Sequence, residues 1–158
     1  MKTININDAS EMDLDAITEM NKLLHDIHFK NAPDHFKPFN KIEIVNWLKT
    51  GIGNPKNKII IAKDGDSYIG YTYAAIHERK ENAFCVARKY IEIDHIFVAE
   101  RHRKNGIATR LINEIKSFGL KNEIYEIELT TWCFNNAAIM AFEKFGLTNR
   151  YRRYNLKY

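Results

Sequence analysis

Two spacings of apolar residues divide the chain into helices and strands. Four helices are predicted where apolar side chains recur every three or four residues, at 14–28, 41–50, 106–119 and 136–145. Strands are predicted in extended runs of β-branched and aromatic residues, at 2–6, 58–63, 68–77, 90–98 and 124–131. One or two closing strands are expected in 147–158. Strands with a few interposed helices indicate an α/β fold built on one mixed sheet.

Capping and turn residues set the ends of these elements. Ser10 is a predicted N-cap, with Asp13 three residues later in the partner position of a capping box. Gly51 is expected to end the second helix, and Gly146 to end the fourth as its C′ residue. The sequence Asp-Gly-Asp-Ser at 64–67 predicts a hairpin turn.

Composition indicates one globular domain over 1–158. The 158 residues are 45% hydrophobic and 28% charged, an ordinary globular balance. The first eight residues turn polar at once, and no apolar run approaches the roughly 20 residues that a membrane-spanning helix needs. Cys85 and Cys133 make no disulfide framework. We therefore expect a cytoplasmic protein with reduced thiols and no membrane partner.

The modest net charge of +4 does not favour nucleic-acid binding, for which a larger basic field is expected. Basic residues cluster at 101–104 and at 150–153. We assign the first cluster to phosphate binding and the second to the exposed face of a strand.

The first basic cluster lies in a turn between the strand at 90–98 and the helix that begins at Gly106. Gly106 lacks a Cβ and Ala108 is small, so another group can approach this backbone closely. The first N–H groups of a helix have no intrahelical partner and attract anions, and Arg101, Arg103 and Lys104 add positive charge. The turn therefore suits a pyrophosphate, although an ordinary connection with solvated basic residues has the same composition. Neither a Walker loop nor the three-glycine dinucleotide motif is present.

Two segments of the sequence carry a family resemblance. The run RKNGIA at 103–108 resembles the R/Q-x-x-G-x-G/A signature of the GCN5-related N-acetyltransferase (GNAT) family, and EIDHIFV at 92–98 resembles that family's fourth strand. The run WCFNNAAIMAFEKFGL at 132–147 is similar to the family's N-x-x-A-x-x-x-Y-E-K-x-G-F segment. The resemblance extends from about residue 59 to the C-terminus.

The resemblance implies a GNAT-like fold that binds acetyl-CoA. The expected fold is a central twisted, mostly antiparallel sheet of six to seven strands, flanked by about four helices. Its fourth and fifth strands splay apart, and the acyl-CoA arm lies in the gap with no metal required. The residues that the resemblance assigns to acetyl-CoA are Ile96, Phe97, Val98, Arg103, Lys104, Asn105, Gly106, Ile107, Ala108, Asn135 and Phe142. For Asn135, the role of a helix N-cap is an equal alternative.

An amine must lose a proton before it attacks a thioester, so a base is useful at neutral pH. Glu92 is the first candidate because it matches a position where some GNAT members carry a catalytic glutamate. Asp94 is the second, since alternation along a strand puts it on the same face, whereas His95 is expected to face the other way. Each can also be an ordinary solvated residue. The main-chain N–H of Val98 is the expected oxyanion donor.

Phe142 departs from the family, which often has a tyrosine there that protonates the leaving thiolate. Water or Tyr71, Tyr73 or Tyr90 remain as alternative donors. The acceptor pocket that the resemblance implies draws on His28, Asp34, His35, Phe36, Trp47, Tyr71, Tyr73 and Glu92. Carboxylates and aromatic faces suit a cationic amine.

The sequence therefore predicts direct acetyl transfer from acetyl-CoA to a primary amine of a small molecule or peptide. A catalytically silent acyl-CoA-binding regulatory module and a nucleotide-binding domain are the alternatives. The protein is expected to be a monomer or a homodimer. Tyr151, Tyr154 and Tyr158 can either form an interface or fill the chain's own sheet.

Overall fold

One five-stranded sheet forms the centre of the computed structural model, which describes residues 4–158. The elements in chain order are β1 (Ile4–Asp8), α1 (Leu14–Asn31), α2 (Lys41–Ile52), β2 (Asn57–Asp64), β3 (Ser67–Arg79), β4 (Arg88–Val98), α3 (Ile107–Lys121), β5 (Ile127–Leu129) and α4 (Asn136–Phe145). The strands lie in sequence order. β1 to β4 pair antiparallel and β5 pairs parallel to β4.

The two faces of the sheet carry separate cores, because side chains alternate across each strand. On one face, Ile91 and Ile93 of β4 pack with apolar residues of α3 such as Leu111 and Ile115. On the other face, Tyr71 and Phe97 pack with residues of α1 and α2, among them Ile17 and Leu48. The helices thus enclose the middle of the sheet from both sides, as the α/β prediction requires.

Most predicted elements are confirmed with small shifts of their ends. The capping box is present: Ser10 N–H and Oγ both donate to Asp13 Oδ2, at 2.9 and 2.8 Å, at a short 3₁₀ turn that leads into α1. Gly146 ends α4 in the left-handed conformation at φ 108°. Of the first predicted strand, residues 2 and 3 lie outside the described residues, and β1 occupies Ile4–Asp8.

The prediction that Gly51 ends the second helix is wrong, since α2 continues through it to Ile52. Its role is close packing: a Cβ on Gly51 would lie 2.6 Å from Cε2 of Tyr73 and 2.8 Å from its hydroxyl. The small residue therefore lets α2 lie directly on β3.

The predicted closing strands are also wrong, because 147–158 forms no strand, and the sheet has five strands rather than six or seven. The strand that precedes this segment most closely in the chain is β5, which is three residues long and offers a short edge for pairing. Side chains hold the segment instead. Arg150 pairs with Glu126 and Glu128, while Tyr151, Tyr154 and Tyr158 are exposed and fill no core of this chain.

Candidate functional site

A break in the sheet opens between β4 and β5. The two strands pair at only three positions, which end at Ile93 opposite Leu129, although β4 continues to Val98. At this point β4 contains a bulge: Tyr73 of β3 lies opposite His95, and the next residue of β3, Ala74, lies opposite Ile93. Asp94 is the extra residue, and a bulge bends its strand and increases its twist. The predicted splay between the fourth and fifth strands is therefore present, and the bulge gives it a local cause.

The bulge also changes which main-chain groups point into the gap. Before it, Ile91 N–H donates across the sheet to Glu126 O at 2.9 Å; after it, Ala99 N–H donates to Ile69 O of the opposite neighbour at 2.8 Å. Because main-chain groups alternate along a strand, those of Ile96 and Val98 point toward the missing β5 partner. One of these groups, the carbonyl of Val98, already accepts a hydrogen bond from Arg103 Nε at 3.0 Å.

The turn after β4 leads into the N-terminus of α3. Lys104 and Gly106 both have positive φ, at 64° and 74°, and Gly106 is the N-cap of α3 without a side-chain cap. No atom of the described residues lies within 4 Å of the position where a Cβ on Gly106 would sit. The first main-chain bond of the helix is from Arg110 N–H to Gly106 O, so the N–H groups of 107–109 are available to a ligand.

Two carboxylates lie on β4 next to the gap. Glu92 is half-buried, and its Oε2 is 3.8 Å from Nε2 of His77. Desolvation and the nearby Glu92 charge raise the pKa of Asp94, while His77 opposes the shift by less. Asp94 in turn raises the pKa of Tyr73, for which burial is the larger cause. Glu92 and Asp94 are thus close enough for their like charges to interact.

The expectation that His95 faces the other way is wrong. His95 contacts the ring of Trp47 on α2, with centroids 5.2 Å apart, and its Nδ1 is 3.1 Å from Nδ2 of Asn21 on α1. The bulge at Asp94 adds one residue to the alternation and returns His95 to the face that α1 and α2 cover. Burial, helped by the charges of His28 and His25, lowers the pKa of His95 to about 4.

The sequence of this chain matches the model of one protein family. A family model described as the acetyltransferase (GNAT) family matches residues 18–147, which is most of the chain. The chain belongs to the GNAT acetyltransferase family. A search of curated protein sequences finds no match.

Solved structures share this GNAT fold at low sequence identity. A tetramutant of the BH1408 protein from Bacillus halodurans has a TM-score of 0.90 at 19% identity, and the match covers 98% of this chain and 99% of that one. AAC(6′)-Iy, in complex with the bisubstrate analogue CoA-S-monomethyl-acetylneamine, has a TM-score of 0.81 at 17% identity, with 99% and 98% covered. The aminoglycoside 6′-N-acetyltransferase AAC(6′)-Ih from Acinetobacter baumannii has a TM-score of 0.79 at 18% identity, with 99% and 98% covered.

The second GNAT segment provides a cap and an apolar wall. Asn135 Oδ1 accepts from Ala138 N–H at 3.2 Å, so its side chain caps α4. Phe142 packs against the α3 side of the sheet, whereas Tyr71 and Tyr73 belong to the opposite core. The hydroxyls of both tyrosines are hydrogen-bonded, to Asn21 and to Asn57 respectively, each at 2.8 Å. Neither tyrosine therefore lies in the core that contains Phe142.

An aromatic cluster borders the gap on the α1 side. It joins α1, the loop after it and the segment that follows β5 through ring contacts among His25, His28, Phe29, His35, Phe36, Phe39, Trp132 and Phe134. Trp132 stacks on Phe134, with ring centroids 5.8 Å apart, and lies 4.9 Å from the ring of His35. Nδ1 of His25 is buried there and has no hydrogen-bond partner among the residues that the structure describes.

Sequence reasoning selected His28, His35 and Phe36 for the acceptor pocket but missed Trp132 and Phe134. The signal in the sequence was the high density of aromatic residues at 132–134, directly after a predicted strand that borders the gap. Asp34, also selected, pairs with Lys157 of the C-terminal segment.

Residues 4–158 lack two features, a helix that could span a membrane and a side-chain cluster that could hold a metal ion. Within that range, none of the helices combines the length and the apolar character needed to cross a bilayer. The same residues contain no group of three or more histidine, cysteine, aspartate or glutamate side chains arranged to hold a metal ion.

Proposed function

We propose that this GNAT protein is an N-acetyltransferase that moves an acetyl group from acetyl-CoA directly to a primary amine of a small molecule or peptide. One observation carries the proposal: the unpaired edge of β4 at Ile96 and Val98 lies directly after two carboxylates, Glu92 and Asp94. A thioester held along that edge would be close to groups that can deprotonate an amine. The small-molecule acceptor is supported by AAC(6′)-Iy, whose structure contains the bisubstrate analogue CoA-S-monomethyl-acetylneamine.

The residues present fit acetyl-CoA at both ends of the proposed site. The N–H groups of Ile96 and Val98 and the carbonyl of Ile96 offer donors and an acceptor for the amides of a pantetheine arm, with Phe97 between them in the core. The open space at Gly106 and the N–H groups at the start of α3 suit a pyrophosphate. Arg103 and Lys104 supply positive charge to the same turn. Asn135 is committed to capping α4, so we assign it a supporting role.

Proton transfer is the task of the β4 carboxylates in this proposal. An alkylammonium acceptor has to release one proton before its nitrogen attacks. That nitrogen then bonds to the acetyl carbonyl carbon as the carbon–sulfur bond breaks, and the second proton leaves with the CoA thiol. The main-chain N–H of Val98 points into the gap and is the oxyanion donor that we assign.

Glu92 remains the first choice for the base and Asp94 the second. Glu92 is half-buried beside His77, and a positioned carboxylate of this kind contributes about 10² to 10⁴ in rate. His95 is a poor base, because burial lowers its pKa to about 4. Phe142 cannot donate a proton, so we assign protonation of the leaving sulfur to water.

Acetyl-CoA binding is tested by a thermal melt with a matched pair of glycine variants. Acetyl-CoA at about 100 times its Kd should stabilise the protein by about 2.7 kcal/mol, which raises Tm by several degrees. Gly106→Ala and Gly65→Ala both place a Cβ at positive φ with nothing within 4 Å, so both should lose a similar amount of stability, about 1–2 kcal/mol. Only Gly106→Ala should weaken acetyl-CoA binding, by about tenfold or more. No shift with millimolar acetyl-CoA, or equal binding by both variants, contradicts the proposed site.

The base is tested by Glu92→Gln, with Glu81→Gln in the loop before β4 as the control. The release of CoA thiol should fall by about 10² for Glu92→Gln across a panel of primary amines, and the acidic limb of its pH profile should move. Glu81→Gln should retain both the rate and the profile. An unchanged Glu92→Gln enzyme would transfer the role to Asp94.

Phe142 also favours a second candidate, an acyl-CoA-binding regulatory module without catalysis. Such a protein would show the acetyl-CoA shift in the melt but release no CoA thiol with any amine. The two assays together separate the candidates.

A further inference from the structure

A cleft continues from the proposed acceptor site along the face of the sheet that carries Glu92. His77 contacts Glu92, the rings of His77 and Tyr90 stack with centroids 5.6 Å apart, and the guanidinium of Arg88 lies 4.4 Å from the centroid of Tyr90. Arg79 lies opposite Arg88 in the β3–β4 pairing, at the far end of this row. The row ends in a cavity of about 320 Å³, which is lined by Arg79, Arg88, Tyr90, Glu128, Arg150 and Tyr151.

The arginines of this cleft differ in whether a carboxylate neutralises their charge. Arg88 and Arg150 each lie within 3 Å of carboxylate oxygens of Glu126 and Glu128, and these four side chains neutralise one another. Arg79 is different, because it has no carboxylate partner among residues 4–158. Within the described part of the chain, its side chain makes one hydrogen bond, a long one from Nη2 to Val86 O at 3.4 Å. Among the described arginines of the cleft, Arg79 is therefore the one with most of its side-chain donors unused.

The spacing of residues along β4 gives the distance between Arg79 and Glu92, the proposed base. Glu92 and Arg88 are four residues apart on β4, which corresponds to about 13 Å at 3.3 Å per residue. Since side chains at even spacing share a face, both point to the same side of the sheet, and Arg79 is level with Arg88. An extended molecule with an amine at Glu92 would reach Arg79 with its other end.

We propose that Arg79 binds an anionic group of the acceptor, so that the acceptor is a primary amine with a carboxylate about 13 Å away. This inference rests on the proposed N-acetyltransferase function and narrows the class of amines that we expect as acceptors. Arg79 supplies two parallel N–H donors, the geometry that a carboxylate takes. The half-buried rings of His77 and Tyr90 lie between the two ends and offer apolar contact to an aliphatic or peptide linker. A polycationic amine would meet like charge at Arg79 and is disfavoured.

The test uses two series of acceptors that differ only in their distal group. ω-Amino carboxylates of increasing chain length are compared with ω-amino alcohols of the same length, by CoA thiol release and by titration calorimetry in the presence of CoA. The carboxylates should have a kcat/KM about tenfold above the alcohols, with an optimum at the chain length that spans about 13 Å. A short peptide with lysine and glutamate at that separation shows whether a peptide carboxylate is accepted as well.

Arg79→Gln should remove the preference for carboxylates and leave the alcohols unchanged. Lys89→Gln is the matched control, since Lys89 is an exposed cation on the opposite face of β4 and should retain the preference. Acetylation of both series at equal rates in wild type, or a preference that survives Arg79→Gln, overturns the inference and leaves the proposed function intact. If no amine is acetylated, the proposed function fails, and equal binding of the two series in calorimetry then overturns the inference as well.

Discussion

The carboxylate of Asp13 is held at the start of α1 by three neighbours, and its titration gives a quantitative prediction. Tyr68 Oη donates to Asp13 Oδ1 at 2.6 Å, Lys63 Nζ lies 3.2 Å from the same oxygen, and Ser10 supplies two donors to Oδ2. Desolvation alone would raise the pKa of Asp13, but these hydrogen bonds outweigh it and lower the pKa from 3.8 to about 2. The group ties α1 to β2 and β3 across the turn.

The size and sign of the effect follow from that shift. At about 1.4 kcal/mol for each pKa unit, the ionised carboxylate stabilises the folded state by about 2.5 kcal/mol. Because the folded pKa is lowered, this stability is fully present above about pH 4 and is lost as the pH falls toward 2. Asp13→Asn should therefore cost about 2 kcal/mol at pH 7, or roughly 4 to 8 °C in Tm for a domain of this size.

Urea unfolding at a series of pH values between 7 and 2.5 measures the prediction. The free-energy difference between wild type and Asp13→Asn should shrink as the pH falls below 4, and Asp66→Asn, in the exposed β2–β3 turn, should differ from wild type at no pH. A loss below about 0.5 kcal/mol at pH 7 would refute the reasoning, because it is within the range of ordinary surface substitutions. A loss that stays constant down to pH 2.5 would show that the amide disturbs packing and that the charge is not the cause.

Three further predictions concern the helices and strand that frame the site. Gly51→Ala should lose about 1–2 kcal/mol in urea unfolding, since the added Cβ would lie 2.6 Å from Tyr73, whereas Gly53→Ala meets nothing closer than 3.9 Å and should be neutral. Asp94→Asn should raise Tm at neutral pH and lower acetyl transfer, because the raised pKa of Asp94 means that its ionised form destabilises the fold above about pH 4; an unchanged Tm contradicts this. Stability should also fall as the pH drops from about 6.5 to about 4, because in this range His95 is protonated in the unfolded chain but stays neutral in the folded protein. The variant His95→Gln should lack this pH-dependent loss.

The fold was largely predictable because periodicity and capping are local properties. The capping box at Ser10, the hairpin at 64–67 and the C′ residue Gly146 all follow from side chains that are adjacent in the chain. Errors arose where the deciding partner is distant in sequence. Gly51 continues its helix because Tyr73 lies against it, and the strand-like pattern of 147–158 finds no long edge with which to pair.

The candidate site was predictable from motifs in its acetyl-CoA half and only partly in its acceptor half. The turn at Gly106 has a signature that depends on the order of a few residues. Trp132 reaches His35 and Phe36 from almost a hundred residues away, and Arg79 reaches the row on β4 only through pairing of the strands. No local pattern contains such contacts, so the sequence predicts the carboxylates and single aromatic residues such as His35 and Phe36, but it does not predict the cluster or the cleft around them.

A single extra residue at Asp94 links these observations. It ends the pairing of β4 with β5, it turns the main chain of Ile96 and Val98 toward the gap, and it returns His95 to the α1 and α2 face. A regular strand of the same composition would keep β5 paired and would point those main-chain groups at β3, so the proposed thioester site would not exist. Strict alternation of side chains between the two faces describes β4 correctly up to Asp94 and incorrectly after it. The proposed chemistry depends on the residues on either side of this bulge.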